Sequence, residues 1–233
     1  MIEYQNNNPI VSNDYSISSN TLLSKVFFRM FLGLLATAFA AGYVYYSGAL
    51  ESLVLNGGLF VFLIAELVLA VVLSLGIKKF SPGVATALFF GYSIVSGVTF
   101  STIFIMFELS SIVYAFVGTA AIFGILAYIG KTTKADLTNM GTILGVTLII
   151  AIIISIVNIF IGNSLLDIIM DWVILAIFMG YTVYDINKIL KIQERGYAYL
   201  NEDNLYIYGA FQLYLDFINM FIRILQLFGK RRN

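Results

Sequence analysis

Seven stretches of about 20 apolar residues, separated by short polar breaks, run through this chain. A stretch of that length crosses the hydrocarbon core of a bilayer as a helix, because a helix satisfies its own backbone hydrogen bonds where no water can. The stretches lie at about 25–47, 53–77, 84–106, 112–130, 140–162, 169–190 and 208–228. They predict an all-α integral membrane protein with seven transmembrane helices, in which short connections make sequence neighbours antiparallel neighbours. Residues 21–233 then form a single seven-helix domain. Residues 1–20, rich in Asn and Ser and without a basic n-region or cleavage site, are expected to be a disordered polar tail, not a signal peptide. Pro82 suits a helix start. Gly141-x-x-x-Gly145, with Gly91, Gly97, Gly118 and Gly124, reads as close helix packing.

Composition narrows the chemistry. Only 11% of residues are charged, against roughly 25% in an ordinary soluble domain. With 13 basic and 13 acidic residues, net charge gives no sign of a nucleic-acid partner. The absence of Cys and His excludes disulfides, thiol chemistry, haem ligation through His and the usual zinc sites. Any titration near neutral pH therefore falls to carboxylates.

The distribution of charge sets orientation. Lys25, Arg29, Lys78, Lys79, Lys131, Lys134, Lys188, Lys191 and Arg195 all fall at one set of helix ends, whereas the loops at the other carry Glu51, Glu108 and Asp167. The positive-inside rule makes this a multi-pass protein of the cell membrane with a cytoplasmic N-terminus. Seven crossings place Lys230, Arg231 and Arg232 outside, against the rule. A re-entrant last segment would remove the conflict, but the final apolar run is too long and continuous for a half-span.

Three acids fall inside the predicted spans: Glu66, Asp185 and Asp216. A carboxylate at membrane depth is costly, so it faces the bundle interior or a water-filled path and takes a partner. Around Asp216, the residues Tyr208, Gln212, Asn219, Arg223 and Gln226 complete a polar stripe on one helix face. Asp185 and Asp216 reach comparable depths if the seventh helix begins in the cytoplasm and enters the hydrocarbon near Ala210. Two carboxylates in one site resist ionising together, so such a pair shares a proton and titrates as a unit. Singly protonated, it clamps two helices; doubly ionised, it repels or accepts a hard cation, for which calcium is suited. The alternative is a permanently hydrogen-bonded acid, satisfied by Asn219, Gln212 or Tyr184. Arg223 is expected to snorkel to the outer interface. Asp167 and Asp171 form an acidic vestibule or, more simply, favour the N-terminus of the sixth helix through its dipole.

Tyr184-Asp185, followed by Leu213-Tyr214-Leu215-Asp216-Phe217-Ile218-Asn219-Met220-Phe221, resembles the Bax inhibitor-1 family, also called the transmembrane Bax inhibitor motif family. The seven windows and the Glu in the second span agree with it over nearly the whole chain. The resemblance implies six helices around a central seventh. It also implies a pH-dependent calcium leak with Asp185 and Asp216 as the family's aspartate pair, beside which the residues Glu66, Gln212 and Asn219 read as an ion pathway or polar seam. Calcium and protons are then the partners within the lipid bilayer, and no cofactor is needed. Bacterial members often carry an arginine near the cytoplasmic end of the second helix that engages the aspartates. Here the stretch reads Gly76-Ile77-Lys78-Lys79, where Lys78 offers a point charge but no bidentate guanidinium.

Two other functions compete. One is a membrane interaction protein that modulates a protease or a stress-response partner through residues 1–20 or 191–207. The other is an intramembrane aspartyl protease, which the motifs disfavour: Leu213-Tyr214-Leu215-Asp216 stands in place of G-x-G-D, and no P-A-L element follows. The chain is accordingly expected not to be an enzyme, and the lack of His removes a serine protease.

Overall fold

The computed structural model describes residues 18–77, 79–194 and 201–232. Seven helices long and apolar enough to span a membrane account for most of it. In chain order the helices are α1 (Ser19–Tyr46), a short α2 (Ala49–Leu55), α3 (Gly58–Gly76), α4 (Pro82–Phe100), a single turn α5 (Ile103–Met106), α6 (Leu109–Thr132), α7 (Met140–Ile161), α8 (Ser164–Glu194) and α9 (Glu202–Phe228). Residues 1–17, which carry most of the expected polar tail, lie outside the described residues, as do Lys78 and Arg195.

Local chemistry sets the boundaries. The Ser18 hydroxyl accepts from the Thr21 N–H and starts α1 well before the apolar window begins. Gly57, with φ of 68°, sits in the left-handed region and separates α2 from α3, so the second span starts at Gly58 rather than near 53. Ser81 caps α4 by accepting from Val84 N–H, and Pro82 occupies the first turn as expected. The third span is interrupted at Ser101 and Thr102. Both hydroxyls bond carbonyls three residues back, Ser101 to Val98 at 2.6 Å and Thr102 to Thr99 at 2.9 Å, and compete with the helix ladder there.

The last helix is the most enclosed. In the most apolar 18-residue stretch of each helix, 72% of residues in α9 are buried, against 6% in α3 and 11% in α7. Helices α1, α4, α6 and α8 all pack along α9, while α3 packs mainly on α4 and α7 on α8. Large apolar side chains such as Phe39, Phe160 and Ile159 point outward, as expected of a surface bathed in lipid. Close approach depends on absent side chains in two places. A Cβ at Gly97 would lie 2.5 Å from the Thr37 carbonyl oxygen of α1, and one at Gly141 would collide with the Tyr184 ring of α8. Gly91, Gly118 and Gly124, read from the sequence as packing glycines, face open space instead.

The C-terminal residues fold back onto the end of the bundle opposite the start of α1. Lys230 pairs with Glu108 at 2.6 Å, the Arg232 N–H donates to the Met106 carbonyl, and its guanidinium donates to Tyr45 Oη at 2.8 Å. The basic tail thus has an acid and acceptors waiting at that end, and no re-entrant turn in α9 is needed to account for it.

Candidate functional site

The polar stripe of α9 meets α8 as an antiparallel ladder. Asp185 and Asp216 are both buried, each 3% exposed, and lie close enough for their charges to interact. Gln212, one turn before Asp216, lies beside the Asp185 carboxylate. Asp216 Oδ2 is buried with no hydrogen-bond partner among the described residues. Asn204 Oδ1 and Arg223 Nε are likewise buried without a partner among the described residues, but Asp216 Oδ2 is the one such atom there that belongs to a carboxylate.

A cation stands near the pair, and it comes from α8 itself. Lys188 follows Asp185 by three residues, on the same helix face, and its charge acts on the Asp185 carboxylate. Its Nζ lies 5.4 Å from the ring centroid of Tyr184 and 5.5 Å from that of Tyr208, within cation–π range. The spacing Asp185-x-x-Lys188 was present in the sequence and went unused there, because Lys188 was counted only as a loop charge. Lys78, singled out instead, lies outside the described residues.

Asn219 does not reach the pair; its Nδ2 donates to the Leu215 carbonyl of its own helix at 2.8 Å. Arg223 corrects the expectation of snorkelling. Antiparallel packing sets it opposite Asp171, and the two form an ion pair at 2.7 Å with Gln226 as a second acceptor at 2.8 Å. Asp171 lies two turns inside α8, beyond the reach of the helix N-terminus, so its role is this pair. Asp167 is in the first turn and accepts from Asn158 Nδ2 at 2.6 Å.

Glu66 belongs to a second polar cluster on the far side of α9. Its carboxylate accepts from Ser96 at 2.7 Å, Thr99 at 2.9 Å and Tyr92 at 3.3 Å, three hydroxyls on one face of α4. Beside them, Tyr214 of α9 meets Thr37 of α1 across 2.6 Å between hydroxyl oxygens. Positions 92, 96 and 99 have helical spacing, so the sequence shows a hydroxyl stripe on α4 but not the helix that it faces.

At the end where α1 begins, α9 extends six residues earlier than the apolar run predicts. Asn201 caps it by accepting from the Asn204 N–H. The extension places Glu202 and Asp203 against Lys25 and Arg29 of α1, at 3.4 and 3.5 Å, with both cations over the Tyr206 ring. The Asn204 amide donates to the carbonyls of Ile77 and Phe80, fixing the turn between α3 and α4. This part of the 191–207 segment is therefore engaged within the bundle, while residues 195–200 lie outside the described residues.

The comparisons with known proteins cover nearly the same length. The family model described as "Inhibitor of apoptosis-promoting Bax1" matches residues 19–233. The inner membrane protein YbhL of Escherichia coli strain K12 is 39% identical over 217 residues, spanning 91% of this chain and 92% of its own. An uncharacterized protein of Borreliella burgdorferi is 34% identical over 221 residues, covering 92% and 94%. The uncharacterized protein YrjE of Lactococcus lactis is 31% identical over 227 residues, covering 96% and 97%. On this evidence the chain is a membrane protein and belongs to the Bax inhibitor-1 family.

Proposed function

We propose that this protein is a pH-sensitive calcium leak channel of the cell membrane, gated by Asp185 and Asp216, with its N-terminus in the cytoplasm. The observation that carries the reading is the unpartnered Asp216 oxygen beside a second buried carboxylate. Two carboxylates supply too few oxygens for a resident calcium ion, which takes six to eight ligands. They suit a passing ion that keeps part of its water, so calcium is cargo here rather than cofactor.

The proton sets the state. When the pair holds one proton, the carboxyl group donates to the carboxylate and joins α8 to α9. When both groups are ionised, they repel across the seam and attract a divalent cation. Lys188, Gln212 and the phenols of Tyr181, Tyr184 and Tyr208 surround the pair. The leak therefore rises with pH. The reading is of a channel rather than an enzyme, since no step of it breaks a covalent bond.

Calcium entry into liposomes carrying only the purified protein tests this directly. Flux that increases between about pH 5 and 8 supports the reading. No calcium permeability anywhere in that range removes it. Because a leak needs no protein partner, the same assay separates it from a role that works through one.

A further inference from the structure

Helices α1 and α6 both pack on α9, and a groove of about 620 Å³ opens between them. It runs from Asn20 to Leu34 along α1 and from Phe116 to Lys131 along α6, roughly 20 Å at 1.5 Å per residue. Leu23, Phe27 and Phe31 form one wall, Ala120 and Gly124 the other, and Phe217 of α9 the floor. The small residues of α6 keep it open: a Cβ added at Gly124 meets nothing within 4 Å. Phe123 and Phe116 pack edge-on against Phe217, so the floor is apolar.

The charge is at one end. Lys131 closes the groove where α1 starts, and it also lines an adjoining polar cavity of about 370 Å³ shared with Lys134, Lys191 and Asn187. Asp136 and Glu194 line that cavity too, and Asp136 stays ionised because hydrogen bonds from Thr138 hold its carboxyl below the usual carboxylate range. Among the described residues Lys131 forms no ion pair; its ammonium donates to the neutral amide oxygen of Asn20 at 2.5 Å. Lys25 and Arg29, at the same end of α1, are by contrast engaged by Glu202 and Asp203. An apolar trough as long as a membrane leaflet is deep, ending in an ammonium that pairs with no carboxylate among the described residues, suits the shape and polarity of an anionic lipid.

We propose that the groove between α1 and α6 binds one acyl chain of an anionic phospholipid, with the lipid phosphate on Lys131. This site is independent of the aspartate pair. It lies against the side of α9 where Phe217 points, and it requires no ion flux.

Native mass spectrometry of the purified full chain, exchanged into mixed micelles with equal phosphatidylglycerol and phosphatidylcholine, reads the bound lipid. The wild type retains phosphatidylglycerol over phosphatidylcholine. Lys131→Gln lowers that preference about fivefold, the effect of one basic side chain at an anionic surface. Lys79→Gln, which removes an equal charge at the same end but outside the groove, leaves it unchanged. Gly124→Leu fills the trough and lowers retention of both lipids. Equal retention of the two lipids by the wild type overturns the proposal, and so does an undiminished preference in Lys131→Gln. A lipid-free dimer, with a second copy of the chain in the groove, overturns it as well.

Discussion

Two acid centres lie within the membrane-spanning helices, the half-buried Glu66 and the buried Asp185–Asp216 pair, and they differ in how completely their oxygens are matched. Glu66 has three hydroxyl donors from α4, all within 3.3 Å. Asp216 faces another carboxylate and keeps one oxygen unpartnered. A matched acid is held in one arrangement, because any movement breaks hydrogen bonds that water cannot replace at that depth. An unmatched acid beside a like charge has two arrangements, with and without the shared proton. The contrast teaches that lying within a membrane span does not by itself set an acid's state; how its oxygens are matched does.

Substitutions can break that contrast or sharpen it. The largest effect is expected from Asp216→Asn or Asp185→Asn, either of which makes a doubly ionised pair unattainable. Each should flatten the pH response of calcium flux and lower the flux at high pH by about tenfold or more, equivalent to about 1.4 kcal/mol. Because the two act as one unit, the double mutant should add little to either single change, which a double-mutant cycle on flux would show. Arg223→Ala should come next, in stability rather than flux. It leaves Asp171 partly buried without its cation, at a cost of up to about 3 kcal/mol, reduced by the partial exposure of both side chains. Thermal unfolding in detergent would measure it.

Lys188→Gln should have a smaller effect. Removing the cation that favours charge on Asp185 makes the shared proton harder to remove, so the midpoint of the leak should move to higher pH with its maximum unchanged. A midpoint moving to lower pH would show that Lys188 acts otherwise. Glu66→Gln should do least, since the amide oxygen still accepts from Ser96 and Tyr92 in place of one carboxylate oxygen, and the amide nitrogen can donate to the Thr99 hydroxyl in place of the other. Flux and its pH dependence should stay close to wild type, with stability changed by about 1 kcal/mol or less. A Glu66→Gln variant that lost pH sensitivity would erase the distinction between the two centres.

The sequence made the spans legible because a membrane helix is specified by a long local pattern. Three of the expected windows, the third, fourth and fifth, match the observed spans to within about three residues at both ends, while the other four differ by about five or six at their starts. The larger differences arise from single residues: Ser18 as a cap, Gly57 with its left-handed backbone, and Asn201, which starts α9 early. Asp185 and Asp216 were legible as a pair because both interrupt apolar runs on consecutive antiparallel helices. Arg223 with Asp171 was not, because that contact depends on the register between α8 and α9, which no local pattern encodes. Lys188 was visible at helical spacing from Asp185 but was read as a topology signal. The cradle around Glu66 required knowing that α4, rather than α9, faces α3. The groove at Lys131 was hidden for a similar reason, since it depends on how α1 and α6 are placed against α9.

The most direct test of the central claim measures calcium entry into protein liposomes between about pH 5 and 8 for the wild type, Asp216→Asn and Glu66→Gln in parallel. The account predicts flux that rises with pH in the wild type and in Glu66→Gln, and a low, flat response in Asp216→Asn. A full pH response in Asp216→Asn would contradict it.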